Sequence, residues 1–331
     1  MSYPSAKLTI RRQTVALVST ALLLTACGGG GQIGDTGGTG DAKKMVLIPG
    51  VAAEPFYISM ECGFREAASA AGYSVDVQAP AKFDATLQTP IVTGVLANKP
   101  GAVLIAPTDD KAMAGPMRQL KDAGIEVVEV DTELEDTSVA VSTISSDNEQ
   151  GGRLAARTLA ELVGDKTGSV LVLNTKAGTS TTDARAAGFE EEIKKYPNLK
   201  YVGRQYTDNE PDQAASKVTA TLAANPDLIG VFATNLNTGE GAATGLRNAG
   251  RTGAVNLVGF DASPKQVEDL RAGVVQALIA QDPATIGRTG VEQAVAALEG
   301  KPVERDVETD LVALTKADME ANSKYFYKQR C

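Results

Sequence analysis

Leu96-Ala97-Asn98-Lys99-Pro100 is answered 126 positions later by Leu222-Ala223-Ala224-Asn225-Pro226. Each stretch precedes an apolar run that reads as a buried strand. The same offset of 126 relates Leu120-Lys121-Asp122-Ala123-Gly124 to Leu246-Arg247-Asn248-Ala249-Gly250. An offset of 125 relates Gly63-Phe64-Arg65-Glu66 to Gly188-Phe189-Glu190-Glu191. Each match alone is weak. A near-constant offset across three helical segments predicts two lobes of one topology.

Short apolar runs alternate with helical patterns around these repeats. Strands are expected at 45–48, 73–77, 102–105 and 127–130, then at 170–173, 201–203, 229–233, 257–260 and 275–280. Helices are expected between them: from Pro55 to a stop at Gly72, over about 84–97, and over 113–123 before Gly124. A βα series implies a parallel sheet covered on both faces. The expected fold class is α/β, with two similar doubly wound parallel-sheet lobes. The part after Lys43, about 290 residues, is long enough for two cores.

The N-terminus reads differently. Lys7, Arg11 and Arg12 precede an apolar run, Val15 to Leu24, which is the layout of a secretory signal and too short to span a membrane. Leu24-Thr25-Ala26-Cys27 resembles a bacterial lipobox, in which the Cys carries the lipid and opens the mature chain; the alternative is a chance Cys after an ordinary signal. Residues 1–27 are thus expected to be leader and lipid-attachment site, and 28–42, rich in Gly, a flexible tether. The expected location is extracytoplasmic, anchored to the cell membrane. Cys62 and Cys331 remain as an even pair in an oxidising location, either bridged or two unpaired thiols.

The net charge of −9 argues against nucleic acid as a partner. His is absent, which removes the commonest general base and transition-metal ligand. No cofactor or metal is expected.

In open α/β sheets, ligands sit at the carboxyl ends of strands. Asp131 ends one strand, and Asp261 ends its counterpart, so two facing lobes would each aim a carboxylate into one cleft. The plainer reading is that each Asp caps the next helix or turn. Asn235 and Gln281 also fall at strand ends. Arg185 closes Gly178-Thr179-Ser180-Thr181-Thr182-Asp183-Ala184-Arg185, a helix entrance. The helix dipole disfavours a cation in a first turn, so Arg185 reaches either into the cleft or to a surface ion pair. Glu54-Pro55-Phe56-Tyr57 opens the first helix, and two adjacent aromatics cannot both face the core. Carboxylates, amides, a guanidinium and aromatic faces suit a neutral polyhydroxylated molecule.

At these residues the chain resembles the ribose-binding class of periplasmic sugar-binding proteins, the substrate-binding lipoproteins of ABC importers. The likeness runs from about Lys43 to Lys316. It is carried by Val258-Gly259-Phe260-Asp261, Ile279-Ala280-Gln281, Gly178–Arg185, Pro55-Phe56-Tyr57, and Ser146-Asp147-Asn148 with Gly151-Gly152. The resemblance implies a type I fold whose lobes are 43–146 with 282–310 and 147–281 with 311–331, hinged at Ser146, Gln281 and Asp310. It implies that Phe56 and Tyr57 sandwich a sugar, and that Asp131, Arg185, Asn235, Asp261 and Gln281 bond its hydroxyls. Three positions depart from the class's pentose binders: Thr132 stands for an Arg, Glu54 for an Asn, and Asn209 for an aromatic. A different sugar or a polyol then fits as well as ribose.

The expected function is capture of a small neutral sugar or polyol and delivery to an ABC permease, by a monomer. The alternative is a receptor that senses a sugar-like signal or a nucleoside. An enzyme is the weaker rival, since no nucleophile elbow, phosphate loop or zinc cluster is present, although two carboxylates could serve glycoside hydrolysis. A transcriptional regulator would need a helix-turn-helix where the leader stands.

Overall fold

The computed structural model describes residues 41–331. The leader, Cys27 and positions 28–40 of the Gly-rich segment lie outside the described residues.

Two six-stranded sheets carry the fold. The first contains β1 (Lys44–Ile48), β2 (Ser74–Val77), β3 (Ala102–Ile105), β4 (Glu126–Val130), β5 (Ser142–Ser146) and β11 (Asp306–Thr309), in the order β11-β5-β4-β3-β1-β2. The second contains β6 (Gly168–Asn174), β7 (Leu199–Tyr206), β8 (Leu228–Ala233), β9 (Asn256–Phe260), β10 (Ala277–Gln281) and β12 (Leu311–Thr315), in the order β12-β10-β9-β8-β6-β7. The two orders correspond strand for strand. All pairings are parallel except β10 with β12, so the second lobe has an antiparallel edge. The inner strands are apolar because helices cover both faces; β3 and β6 are buried throughout.

The helices are α1 (Pro55–Ala70), α2 (Ala85–Asn98), α3 (Ala114–Asp122), α4 (Asn148–Val163), α5 (Ser180–Ile193), α6 (Pro211–Ala224), α7 (Leu236–Asn248), α8 (Pro264–Ala272) and α9 (Pro283–Leu298). The sequence repeats fall on equivalent pieces: the ends of α2 and α6, the ends of α3 and α7, and the middle of α1 and α5. The third repeat has a packing cause. A Cβ on Gly63 of α1 would lie 1.9 Å from the carbonyl oxygen of Ala284 in α9, and one on Gly188 of α5 would lie 2.0 Å from that of Glu149 in α4. Only glycine lets each helix pair approach so closely. The Phe that follows, Phe64 or Phe189, is wholly buried in its lobe's core.

The chain passes between the lobes three times: from β5 to α4, from β10 to α9, and from β11 to β12. Side chains tie these passages together. The Ser146 hydroxyl donates to Gln281 Oε1 at 2.9 Å and lies 3.2 Å from the Thr309 hydroxyl. Cys62 of α1 and Cys331 form a disulfide with Cα atoms 5.3 Å apart.

Four strand readings are corrected. β5 and β11 lack the continuous apolar run that marks the inner strands, and β12, which has one in Leu311–Leu314, is a half-exposed antiparallel edge strand; none of the three was anticipated. The run 275–280 is displaced: β10 begins at Ala277 and includes Gln281.

Candidate functional site

A cavity partly open to solvent lies between the lobes, and the space within it, open solvent included, is about 390 Å³. Its wall includes all ten positions singled out above: Glu54, Phe56, Tyr57, Asp131, Thr132, Arg185, Asn209, Asn235, Asp261 and Gln281. Strand ends and helix starts from both sheets supply them.

Asp131 follows β4 and Asp261 follows β9, and both adopt the left-handed conformation, with φ of 68° and 80°. Asp tolerates this region at a modest cost, and here it turns each side chain off the strand end. Neither caps the next helix in its own chain direction, since Ser263 caps α8 and Asp131 accepts no backbone bond. Asp131 Oδ2 accepts from the Tyr57 hydroxyl at 2.9 Å. Asp261 is more heavily bound: Oδ1 accepts from Gln281 Nε2 at 2.7 Å and the Tyr327 hydroxyl at 2.8 Å, and Oδ2 from the Leu236 N–H at 2.8 Å. Asp261 thus also serves the N-terminus of α7, a capping role from another element.

Arg185 sits in the second turn of α5, not the first, because the helix opens at Ser180. It is 2% exposed, so no surface ion pair explains it. Nε donates to Asn148 Oδ1 at 2.8 Å and Nη1 to the Thr234 carbonyl at 2.9 Å. The guanidinium lies 3.7 Å from the centre of the Phe260 ring. Its Nη2 is buried without a partner, as is the Thr179 hydroxyl. Both are unspent hydrogen-bonding atoms on the cavity wall.

Phe56 and Tyr57 both reach the cavity, and both are buried. Their rings meet edge to face at 5.1 Å and 79°, which corrects the expected sandwich: adjacent residues on one helical turn cannot present parallel faces across a ligand. Phe83 supplies a further aromatic wall that the sequence reading missed. It stands just before Asp84, the N-cap of α2, and carries no pattern of its own. Thr175, Thr179, Thr181 and Thr182 were missed individually, although the last three lie in the segment 178–185. Asn235 is committed to its helix: its Oδ1 accepts from the Thr238 N–H at 3.1 Å, and its Nδ2 donates to Asn209 Oδ1 at 2.7 Å. Thr132 donates to the Pro107 carbonyl at 2.7 Å.

The carboxylates are electrostatically crowded. Burial pushes Asp131 up to about 6, with the nearby charge of Arg185 pulling the other way. Glu54 is half-buried at the cavity rim. Desolvation, reinforced by Asp261 and Asp131, pushes it up to about 8. Around the rim the lobes touch: the Glu133 N–H donates to the Ser180 hydroxyl at 3.0 Å, the Asp110 N–H to the Gly178 carbonyl at 3.0 Å, and Lys82 pairs with Glu210 at 2.7 Å. Among the described residues no group of His, Cys, Asp and Glu is placed to hold a metal ion.

A cavity between two like-built lobes, lined by carboxylates, amides and a guanidinium, is the architecture of a binding protein. Residues 45–302 match the periplasmic binding protein domain family, and the chain belongs to that family of substrate-binding proteins, not to a family of enzymes. It is 31% identical over 276 residues to the ribose import binding protein of Escherichia coli, spanning 82% of this chain and 90% of that one. It is 32% identical over 219 residues to a D-apiose import binding protein of Actinobacillus succinogenes, spanning 66% of this chain and 70% of that one. Among solved structures, an ABC transporter solute-binding protein from Agrobacterium vitis with bound α-D-tagatopyranose superposes with a TM-score of 0.84 and 39% identity, covering 86% of this chain and 99% of that one. One from Actinobacillus succinogenes with bound D-allose gives 0.77 and 28%, covering 84% and 99%. The family places the protein outside the cytoplasm. Among the described residues no helix is long and apolar enough to cross a membrane.

Proposed function

We propose that this chain is the lipid-anchored receptor of an ABC importer, tethered through Cys27, which captures a small neutral sugar or polyol and delivers it to a membrane permease. The lobes 43–146 with 282–310 and 147–281 with 311–331 move about Ser146, Gln281 and Asp310, and ligand favours the closed arrangement because it bonds to both. The protein acts as a monomer.

The observation that carries this reading is Arg185. It is buried, neither of its hydrogen bonds goes to a carboxylate, and its Nη2 lacks a partner on the cavity wall. A donor fork on one lobe faces Asp131 on the other, which suits adjacent hydroxyls. Three acids against one guanidinium disfavour phosphorylated or carboxylated ligands.

The relative that holds tagatopyranose makes a ketohexose the first probe. Thermal shift of the purified protein against D-tagatose, D-ribose, D-allose, D-apiose, polyols and nucleosides tests the reading. A rise in melting temperature with one neutral sugar or polyol is expected; a response to nucleosides or phosphorylated sugars alone would overturn it.

A further inference from the structure

The C-terminal segment changes lobes between consecutive residues. After a 3-10 turn at Ser323–Tyr325, Tyr327 is seated against the second lobe. Its N–H donates to the Ala262 carbonyl at 3.0 Å, its hydroxyl donates to Asp261 Oδ1 at 2.8 Å, and its hydroxyl oxygen accepts from the Gln281 N–H at 3.3 Å. It is 5% exposed, and burial beside Asp261 keeps the phenol protonated. Lys328, the next residue, donates its N–H to the Ser59 hydroxyl of α1 at 2.7 Å, in the first lobe. Cys331 is then bonded covalently to Cys62 of the same helix. The Tyr327 ring also meets Phe56 of α1 edge-on, with centroids 5.7 Å apart.

Beyond the three passages of the hinge, the tail is therefore a fourth link between the lobes. Its far end cannot let go. The other contacts across the cleft are hydrogen bonds, one exposed ion pair and the Lys176 ammonium 5.6 Å from the centre of the Phe83 ring, each of which opening can break. The four residues beyond Tyr327 span at most about 14 Å when fully extended. Opening must either stop within that reach or pull Tyr327 away from Asp261.

We propose that the Cys62–Cys331 disulfide makes the C-terminal tail a strut that limits opening of the lobes and holds Tyr327 as a positioning residue for the Asp261 carboxylate. A narrower open ensemble leaves less freedom to lose on closing, so the strut raises affinity for whatever the closed form binds. A hydroxyl fixed on Asp261 Oδ1 also keeps that carboxylate aimed at the cavity.

The affinity half of this proposal rests on the sugar-binding reading; the opening half does not. Small-angle X-ray scattering of the unliganded protein compares wild type with the Cys62→Ser, Cys331→Ser double variant. A larger radius of gyration in the variant is expected, whatever the ligand is. Calorimetric titration with D-tagatose then compares the same pair with Tyr327→Phe, which keeps the ring on Phe56 and removes only the hydroxyl. Each change should weaken binding about tenfold, the scale of one hydrogen bond to a charged group. Tyr327→Phe should cost nothing further when Asp261→Asn is already present, nor when the disulfide is already removed. A folded double variant with unchanged scattering overturns the strut. Additive losses from Tyr327→Phe and Asp261→Asn overturn the positioning role. Wild type that ignores D-tagatose while another sugar binds moves the same cycle to that sugar. If no sugar binds, the sugar reading fails and scattering alone decides the strut.

Discussion

Asp131 and Asp261 share a backbone but not a hydrogen-bond environment. Each follows the fourth strand of its sheet's chain order, each has positive φ, and each donates its N–H to the adjoining strand, to the Ile144 carbonyl at 2.9 Å and the Ile279 carbonyl at 2.8 Å. The Asp131 carboxylate accepts one bond from the protein and the Asp261 carboxylate accepts three. The duplicated fold supplied two equivalent carboxylates. One keeps most of its acceptor capacity unused, and the other is held in place by the protein.

That asymmetry separates affinity from stability. Asp131→Ala should weaken sugar binding by about ten- to hundredfold, as expected for charge-assisted bonds, while the melting temperature stays close to wild type. Asp261→Ala should lose as much affinity and also about 1–3 kcal/mol of stability, because three donors lose their acceptor. Calorimetry and denaturant unfolding read the two quantities. Equal stability losses in both variants would refute the asymmetry.

Gly152 of α4 offers a test away from the cavity. A Cβ there would lie 1.9 Å from the backbone carbonyl oxygen of Arg185. Gly152→Ala must push α5 outward and carry the guanidinium with it. Stability should fall by about 1–3 kcal/mol, as for overpacked cores, and ligand affinity should fall as well. Gly287→Ala, where a Cβ would lie 2.2 Å from the Met60 carbonyl oxygen, overpacks the other lobe and should cost similar stability with less effect on affinity. Equal affinity losses would show that Arg185 does not depend on the α4–α5 contact.

Glu129 predicts the pH dependence of folding. It is 1% exposed, accepts from the Thr143 hydroxyl at 3.1 Å and the Leu134 N–H at 3.3 Å, and is pushed by burial from 4.5 up to about 7. A raised carboxylate holds its proton in the native state after the unfolded chain has lost it. Stability from this group is therefore intact below about pH 4, declines as pH rises to about 7, and is level above that. Asp131 and Glu54, raised to about 6 and about 8, act with the same sign and extend the decline to about pH 8. Glu129→Gln should remove part of the slope and stabilise the protein at pH 8 by up to about 3 kcal/mol. Urea unfolding at pH 5 and pH 8 checks this; a steeper slope in the variant would contradict it.

The ion pair between Lys82 and Glu210 spans the mouth of the cleft, yet both side chains are largely exposed, at 69% and 44%. Water and salt screen such a pair. Lys82→Ala should change ligand affinity by less than about twofold at physiological ionic strength. A loss of tenfold or more in calorimetry would make this contact a latch.

Much of this protein was legible before any coordinates. The offset repeats gave two like lobes, because Gly63 and Gly188 meet one packing demand and Gly124 and Gly250 both end a helix in the left-handed conformation, with φ of 78° and 64°. The inner strands were legible because burial on both faces requires uninterrupted apolar runs. Strand ends in an open α/β sheet face one edge, which is why position alone could place Asp131, Asp261 and Gln281 on the cavity wall. The tertiary structure decided the rest. Ser142–Ser146 is strand only because β4 and β11 flank it, and its serines and threonine find partners such as Glu129 and Gln281 there. Phe83 and Tyr327 carry no local signal, since their roles come from residues far along the chain, and the crossed rings of Phe56 and Tyr57 follow from helix geometry meeting a wall built by the other lobe. Local pattern records what a segment needs from its immediate neighbours; which distant groups close a cavity is fixed only when the whole chain packs.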